Sequence, residues 1–165
     1  MKLALAVLLL TATATAAHAQ DGRVWTLSND KAFPDVGLVY GAPDDVVTAL
    51  RCPRGTGQVT VSFVVASRLA DRQQDGVWVD TIGRPAPWPT SVVLTSGSAS
   101  ATLRGQAGVD DLNGASLLSA EVATRAPVIA AFKKTGVLTL SGLGESKTVP
   151  PVPLKQVRPF LRACR

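Results

Sequence analysis

Cysteine and histidine carry much of the nucleophilic and transition-metal chemistry of proteins, and this 165-residue sequence has only Cys52, Cys164 and His18. The two cysteines lie too far apart for a redox Cys-x-x-Cys pair. With one histidine they cannot supply the nitrogen and sulfur ligands of a zinc site. His18 stands in a distinctive stretch. Met1-Lys2 opens the chain, residues 3–10 are apolar, and Ala17-His18-Ala19 closes a Thr/Ala run. That is the pattern of a secretory signal peptide over residues 1–19, cut after Ala19, with a retained N-terminal anchor as the alternative. The apolar run is too short for a stable membrane-spanning helix, and no later stretch is longer, so no transmembrane segment is expected after cleavage. Cleavage takes 19 of 165 residues and leaves 146, enough for a single domain with a real core (residues 20–165). It also takes the only imidazole. An exported chain with two cysteines most simply pairs them, so one Cys52–Cys164 disulfide is expected in a periplasmic or secreted protein. Ser/His/Asp and Cys/His triads are then out of reach.

The remaining candidates for catalysis are thin. Ser28-Asn29-Asp30-Lys31 matches S-x-x-K and Lys134-Thr135-Gly136 matches K-T-G, in the order penicillin-recognising enzymes use. Those enzymes need the first motif at the start of a buried helix and a Ser-Asp-Asn type element between. Here Ser28 follows a strand pattern and no Ser-x-Asn intervenes, so a turn and a helix end account for both. The adjacent acidic pairs are Asp44-Asp45 and Asp110-Asp111. Paired carboxylates do acid/base work or bind a hard cation. Asp111-Leu112-Asn113-Gly114 hints at a calcium loop, but with Gly114 as its glycine the first and last ligand positions fall on Val109 and Ala120. No cofactor and no metal are expected, and the acidic pairs read as turns. Tyr40, Trp78 and Trp88 are candidate ligand contacts, although isolated tryptophans on strands usually belong to a core.

Charge is the asymmetric feature. Residues 20–132 hold nine Lys/Arg and eleven Asp/Glu, whereas residues 133–165 hold seven cations and one acid, Glu145. Lys147, Lys155, Arg158, Arg162 and Arg165 are the candidate basic interaction surface, suited to an acidic protein face or anionic headgroups. The competing account is that cations near helix C-termini are simply favourable, which covers Lys133, Lys134, Arg162 and Arg165. Nucleic acid is not expected, because no aromatic-basic interleaving appears.

The elements that must position these groups are mostly short strands. Alternation or β-rich composition predicts them at residues 23–27, 37–41, 46–52, 58–66, 77–82, 91–95, 100–104, 116–123, 137–141 and 147–149. Residues 58–66 give the clearest case, with Val59, Val61, Phe63 and Val65 on one face. Asp75-Gly76 marks a hairpin turn. Residues 84–89 carry three prolines and read as irregular, and residues 105–114 read as a loop. Two short helices are predicted late. Residues 126–134 have Pro127 in the first turn, Lys133-Lys134 in the last and Gly136 just beyond. The second starts near Arg158 with Pro159 in its first turn. The fold class is mainly β, an antiparallel sandwich or curled sheet with two short helices in the C-terminal third and one disulfide.

Leu50-Arg51-Cys52 before the 59–65 strand, and Leu161-Arg162-Ala163-Cys164 near the end, give a layout that resembles small exported β proteins of proteobacteria. The type VI secretion accessory proteins of the VasI kind are the family in view. The sequence lacks the N-terminal Cys-rich segment of that pattern. The resemblance implies the fold and the compartment and carries over no catalytic residue. The expectation is therefore an exported, non-enzymatic envelope protein that binds another envelope protein or an acidic surface, with oligomeric state open. A small-ligand carrier and a His-free hydrolase are the alternatives.

Overall fold

The computed structural model describes residues 22–111 and 114–165. The expected signal peptide, and Leu112 and Asn113 of the calcium-like loop, lie outside the described residues. The strands are β1 (Val24–Ser28), β2 (Asp35–Ala42), β3 (Asp45–Pro53), β4 (Gln58–Val65), β5 (Arg72–Gln74), β6 (Val77–Val79), β7 (Trp88–Ser96), β8 (Ala99–Val109) and β9 (Ser116–Ala123). Helix α1 (Pro127–Thr135), strands β10 (Thr139–Gly142) and β11 (Glu145–Thr148), and helix α2 (Leu154–Ala163) complete the chain.

Nine strands form one antiparallel sheet in the order β1-β2-β3-β4-β9-β8-β7-β10-β11. It curls into a half-barrel, which decides between the two architectures expected. The chain builds one half as a meander, β1 to β4. It then passes through the small β5–β6 hairpin, lays down β7, β8 and β9, and joins the halves where β9 pairs with β4 from Gln58↔Ala123 to Val65↔Ser116. Side-chain alternation explains the curl's inside. Val59, Val61, Phe63 and Val65 are essentially buried on β4, and so are Leu118 and Val122 on β9, while Thr60, Ser62 and Val64 stay half-exposed. Each such side chain contributes about 1.5–3 kcal/mol when fully buried. The Asp75-Gly76 turn forms as expected, both residues at positive φ, joining β5 to β6.

Helix α1 buries Val128, Ile129 and Phe132 and packs on β7 and β8. Gly136 ends it at φ 69°, its N–H donating to the Phe132 carbonyl. A Cβ at that position would come within 2.2 Å of the Val152 carbonyl oxygen, so both backbone sign and close approach demand glycine there.

Three expectations need correction. Helix α2 begins at Leu154, four residues early, and Pro159 lies inside it. The Pro153 carbonyl accepts from Gln156 and Val157 and starts the helix before the proline is reached. Pro159 leaves the Lys155 carbonyl without its helical donor, but Lys155 is exposed and water can serve there. Burial of Val157, Phe160 and Leu161 holds the helix against that loss. Second, the proline-rich segment is not irregular throughout, because β7 starts at Trp88 and includes Pro89. Only β8 pairs with that part of β7, since β10 reaches just Val93–Thr95, and an edge stretch tolerates a missing N–H. Third, the loop expected at 105–114 is strand as far as Val109, paired with β9 from Gly105↔Ala120 to Val109↔Ser116. Glycine and alanine hide its alternation in sequence.

Candidate functional site

The disulfide sets the position of α2. Cys52 on β3 and Cys164 at the end of α2 are bonded, with Cα atoms 5.6 Å apart. The β3–β4 turn reinforces the joint: Gly55 N–H donates to the Ala163 carbonyl at 3.0 Å and Gly57 N–H to that of Cys164 at 2.7 Å. These two bonds satisfy carbonyls that a helix C-terminus otherwise leaves to solvent. At the other end, Trp25 Nε1 donates to the Pro150 carbonyl at 2.8 Å, and Gln156 Nε2 donates to the Trp25 carbonyl at 3.2 Å. The apolar face of α2 is pinned to the sheet, and its polar face points out.

That outward face is cationic. Lys155, Arg158 and Arg162 recur at helical spacing opposite the buried Val157, Phe160 and Leu161, and Arg165 follows just beyond the helix. Helix α1 packs beside α2 and brings Lys133 and Lys134 to the same place. The groove between them has a volume of about 650 Å³ and is lined by Ala130, Lys133, Lys134, Arg158, Leu161, Arg162 and Arg165. It thus holds five cations and no carboxylate side chain. None of the five makes an ion pair among the described residues. Helix-end electrostatics alone do not account for this. Two helix C-termini supply about −0.5 charge each, and a carboxylate on Arg165 would add −1, leaving a clear positive excess.

Of the basic residues singled out in the sequence, Arg158, Arg162 and Arg165 come together and Lys155 extends their stripe along α2. Lys147 lies elsewhere: its Nζ donates to the Val64 carbonyl at 2.9 Å. Lys133 and Lys134 were legible only as helix-end charges, and their place in the groove needs the packing of α1 on α2.

Lys147 belongs to a second concavity, a slot of about 550 Å³ lined by residues of β2, β3, β4 and β11. Tyr40, Val46, Val65 and Pro150 line it together with the Arg23–Asp45 ion pair. Glu145 closes β11 onto the end of β4 beside it. One carboxylate oxygen accepts the Ser67 N–H at 2.7 Å and the Ser67 hydroxyl at 2.6 Å, and the other accepts the Ala66 N–H at 3.0 Å. The Ser67 hydroxyl, then these two N–H groups, hold the Glu145 carboxyl below its ordinary pKa against the opposing effect of burial, with Lys147 adding a smaller push.

The candidate aromatic contacts have different surroundings. Tyr40 lines the slot and packs on Trp25 at 5.3 Å between ring centroids. Trp88 is buried and donates from Nε1 to the Arg84 carbonyl at 2.9 Å. Trp78 is half-buried, its carbonyl accepting the Ala86 N–H. The loop before Trp88 is organised by Asp80. Burial raises its pKa, but the Arg84 N–H, the Arg84 guanidinium and the Ile82 N–H together hold the carboxyl below the ordinary value.

The motif residues fall where turns and ends need them. Ser28 closes β1 and Lys31 sits in the following turn. Thr135 Oγ1 donates to the Ala131 carbonyl and accepts the Val137 N–H, finishing α1. The acidic pairs do approach one another, since Asp44, Asp45 and Asp110 border one shallow depression on the sheet. Among the described residues, however, no group of three or more His, Cys, Asp or Glu converges to hold a metal ion. No helix among them is long and apolar enough to cross a membrane.

No protein-family model matches the chain, and no curated protein or solved structure is significantly similar to it.

Proposed function

We propose that this chain is an exported, non-enzymatic accessory module of a bacterial envelope that acts by binding an anionic macromolecular partner through the α1–α2 groove. The observation that carries the proposal is the convergence of Lys133, Lys134, Arg158, Arg162 and Arg165 on one groove without a carboxylate side chain among its lining. Clustered like charges destabilise a fold by self-repulsion, so a partner that neutralises them supplies a reason for the arrangement. Arginine contributes three of the five cations, and its planar fork suits carboxylate and phosphate oxygens. A disulfide supports the exported setting, because such bonds persist in oxidising compartments. The signal-peptide pattern at residues 1–19 and the resemblance to VasI-kind accessory proteins point to the same setting.

The test is recovery of partners from an envelope extract with the wild-type chain and with charge reversal at Lys155, Arg158 and Arg162. The proposal expects a partner captured by wild type, and rebound when purified, to be lost on charge reversal. Retention of every partner by the reversed variant contradicts it.

A second reading, carriage of a small ligand, rests on the slot beside Tyr40. Trp25 touches Tyr40, so a ligand in the slot would alter tryptophan emission, and a flat response across a ligand panel would remove this reading.

A further inference from the structure

Resting on the groove as the binding surface, we infer that its occupant is a short acidic segment of a protein in extended conformation, with carboxylates alternating with apolar side chains. Three features select this class. The groove is concave, and its apolar lining is the exposed Ala130 together with the almost fully buried Leu161. The cations stand on both walls, Lys133 and Lys134 on α1 and the arginines on or just beyond α2. A strand-like peptide presents side chains alternately to opposite sides, so every second residue can meet a guanidinium while those between pass over Ala130.

The length follows from helix geometry. From Lys155, just outside the groove lining, to Arg162 the helix rises about 10 Å at 1.5 Å per residue, and Arg165 follows beyond its end. Extended chain advances about 3.3 Å per residue, so about three residues span it and about two carboxylates meet the arginines. A bidentate arginine–carboxylate pair is among the stronger and more directional charge-assisted contacts.

The alternatives fit less well. A bilayer surface is flat and is gripped best when apolar side chains insert beside the cations. Among the described residues, the exposed large hydrophobic side chains, Val24, Phe33, Val46, Val77, Ile82 and Leu117, all lie outside the groove lining. Single-stranded nucleic acid is held by stacking on aromatic side chains, and no aromatic lines the groove.

The probes are a dye-labelled hexapeptide of alternating Glu and Leu, its Gln/Leu counterpart, and phosphatidylcholine vesicles with and without phosphatidylglycerol. Anisotropy and co-sedimentation are read for the full mature chain and for R158E/R162E. If the reversal lowers the unfolding midpoint, R158Q/R162Q takes its place. The inference expects the Glu/Leu peptide to bind, the Gln/Leu peptide to bind at least about tenfold more weakly, and the arginine variant to lose the difference. Anionic vesicles binding through the arginines while the peptide stays silent would overturn the acidic-segment inference and leave the groove as an anion surface. Silence from both probes would overturn the inference and the groove reading together.

Discussion

Lys134 on α1 and Arg162 on α2 line one groove although they belong to different helices on either side of the β10–β11 hairpin. Their proximity depends on three joints: the Cys52–Cys164 bond, the Gly136 turn, and the hydrogen bonds between Trp25 and the segment entering α2. Each joint can be broken separately.

The disulfide closes a loop spanning a sequence separation of 112 residues. On the chain-entropy model, a crosslink of that span stabilises by about 4–5 kcal/mol. Reduction, or C52A/C164A, is expected to lower the urea midpoint strongly and to raise hydrogen exchange first in α2. An unchanged midpoint would show that packing and the remaining hydrogen bonds hold α2 without the crosslink.

Gly136→Ala combines a positive φ with a Cβ only 2.2 Å from the Val152 carbonyl oxygen. The left-handed conformation alone costs about 1–2 kcal/mol for alanine, and relieving the contact adds to it. Thermal denaturation should show a clear loss. A midpoint within error of wild type would mean that the α1–Val152 junction yields freely.

Thr48 is buried on β3, opposite Phe63, and its hydroxyl oxygen has no hydrogen-bond partner among the described residues. Thr48→Val replaces an unsatisfied polar group by a methyl in the same branched shape. It is expected to raise stability by about 1 kcal/mol, read as a shift in denaturant midpoint. A loss of stability would reveal a partner for the hydroxyl, such as a bound water.

Glu145 and Asp80 both titrate below their ordinary values in the folded protein. Their stabilisation is therefore complete above the unfolded carboxylate range, about pH 4–4.5, and is lost as pH falls through the lower folded values. Denaturation midpoints measured from pH 6 downward should begin to fall in that region. In E145Q the hydrogen bonds to Ala66 and Ser67 are weakened at every pH and the acid-side slope is shallower. Identical slopes for E145Q and wild type would detach the β11–β4 closure from Glu145.

Periodicity made much of this fold readable beforehand. The alternation Val59, Val61, Phe63, Val65 became the core face of β4, and the Pro127/Lys133-Lys134/Gly136 polarity became α1 almost residue for residue. The extension of β8 was hidden because Gly105, Ala107 and Gly108 show no alternation, and only pairing with β9 reveals them as strand. Pro159 concealed the start of α2, because tertiary packing of Val157 and Phe160 overrides its local penalty. At the candidate site, the cations were legible as a charge excess over residues 133–165, and their helical spacing from Lys155 onward emerged only with the earlier start of α2. The contribution of Lys133 and Lys134 to the groove was not legible, because nothing in local sequence says that α1 and α2 pack side by side.

On the proposed reading these cations act together at one groove and not through net charge. The most direct measurement is the affinity for polyglutamate of wild type, R158E/R162E and the charge-matched R104E/R125E, whose altered side chains are exposed and lie outside the groove lining. The account predicts that R158E/R162E loses at least about tenfold in affinity while R104E/R125E changes far less, the difference shrinking as salt rises. Equal losses in the two variants would contradict it.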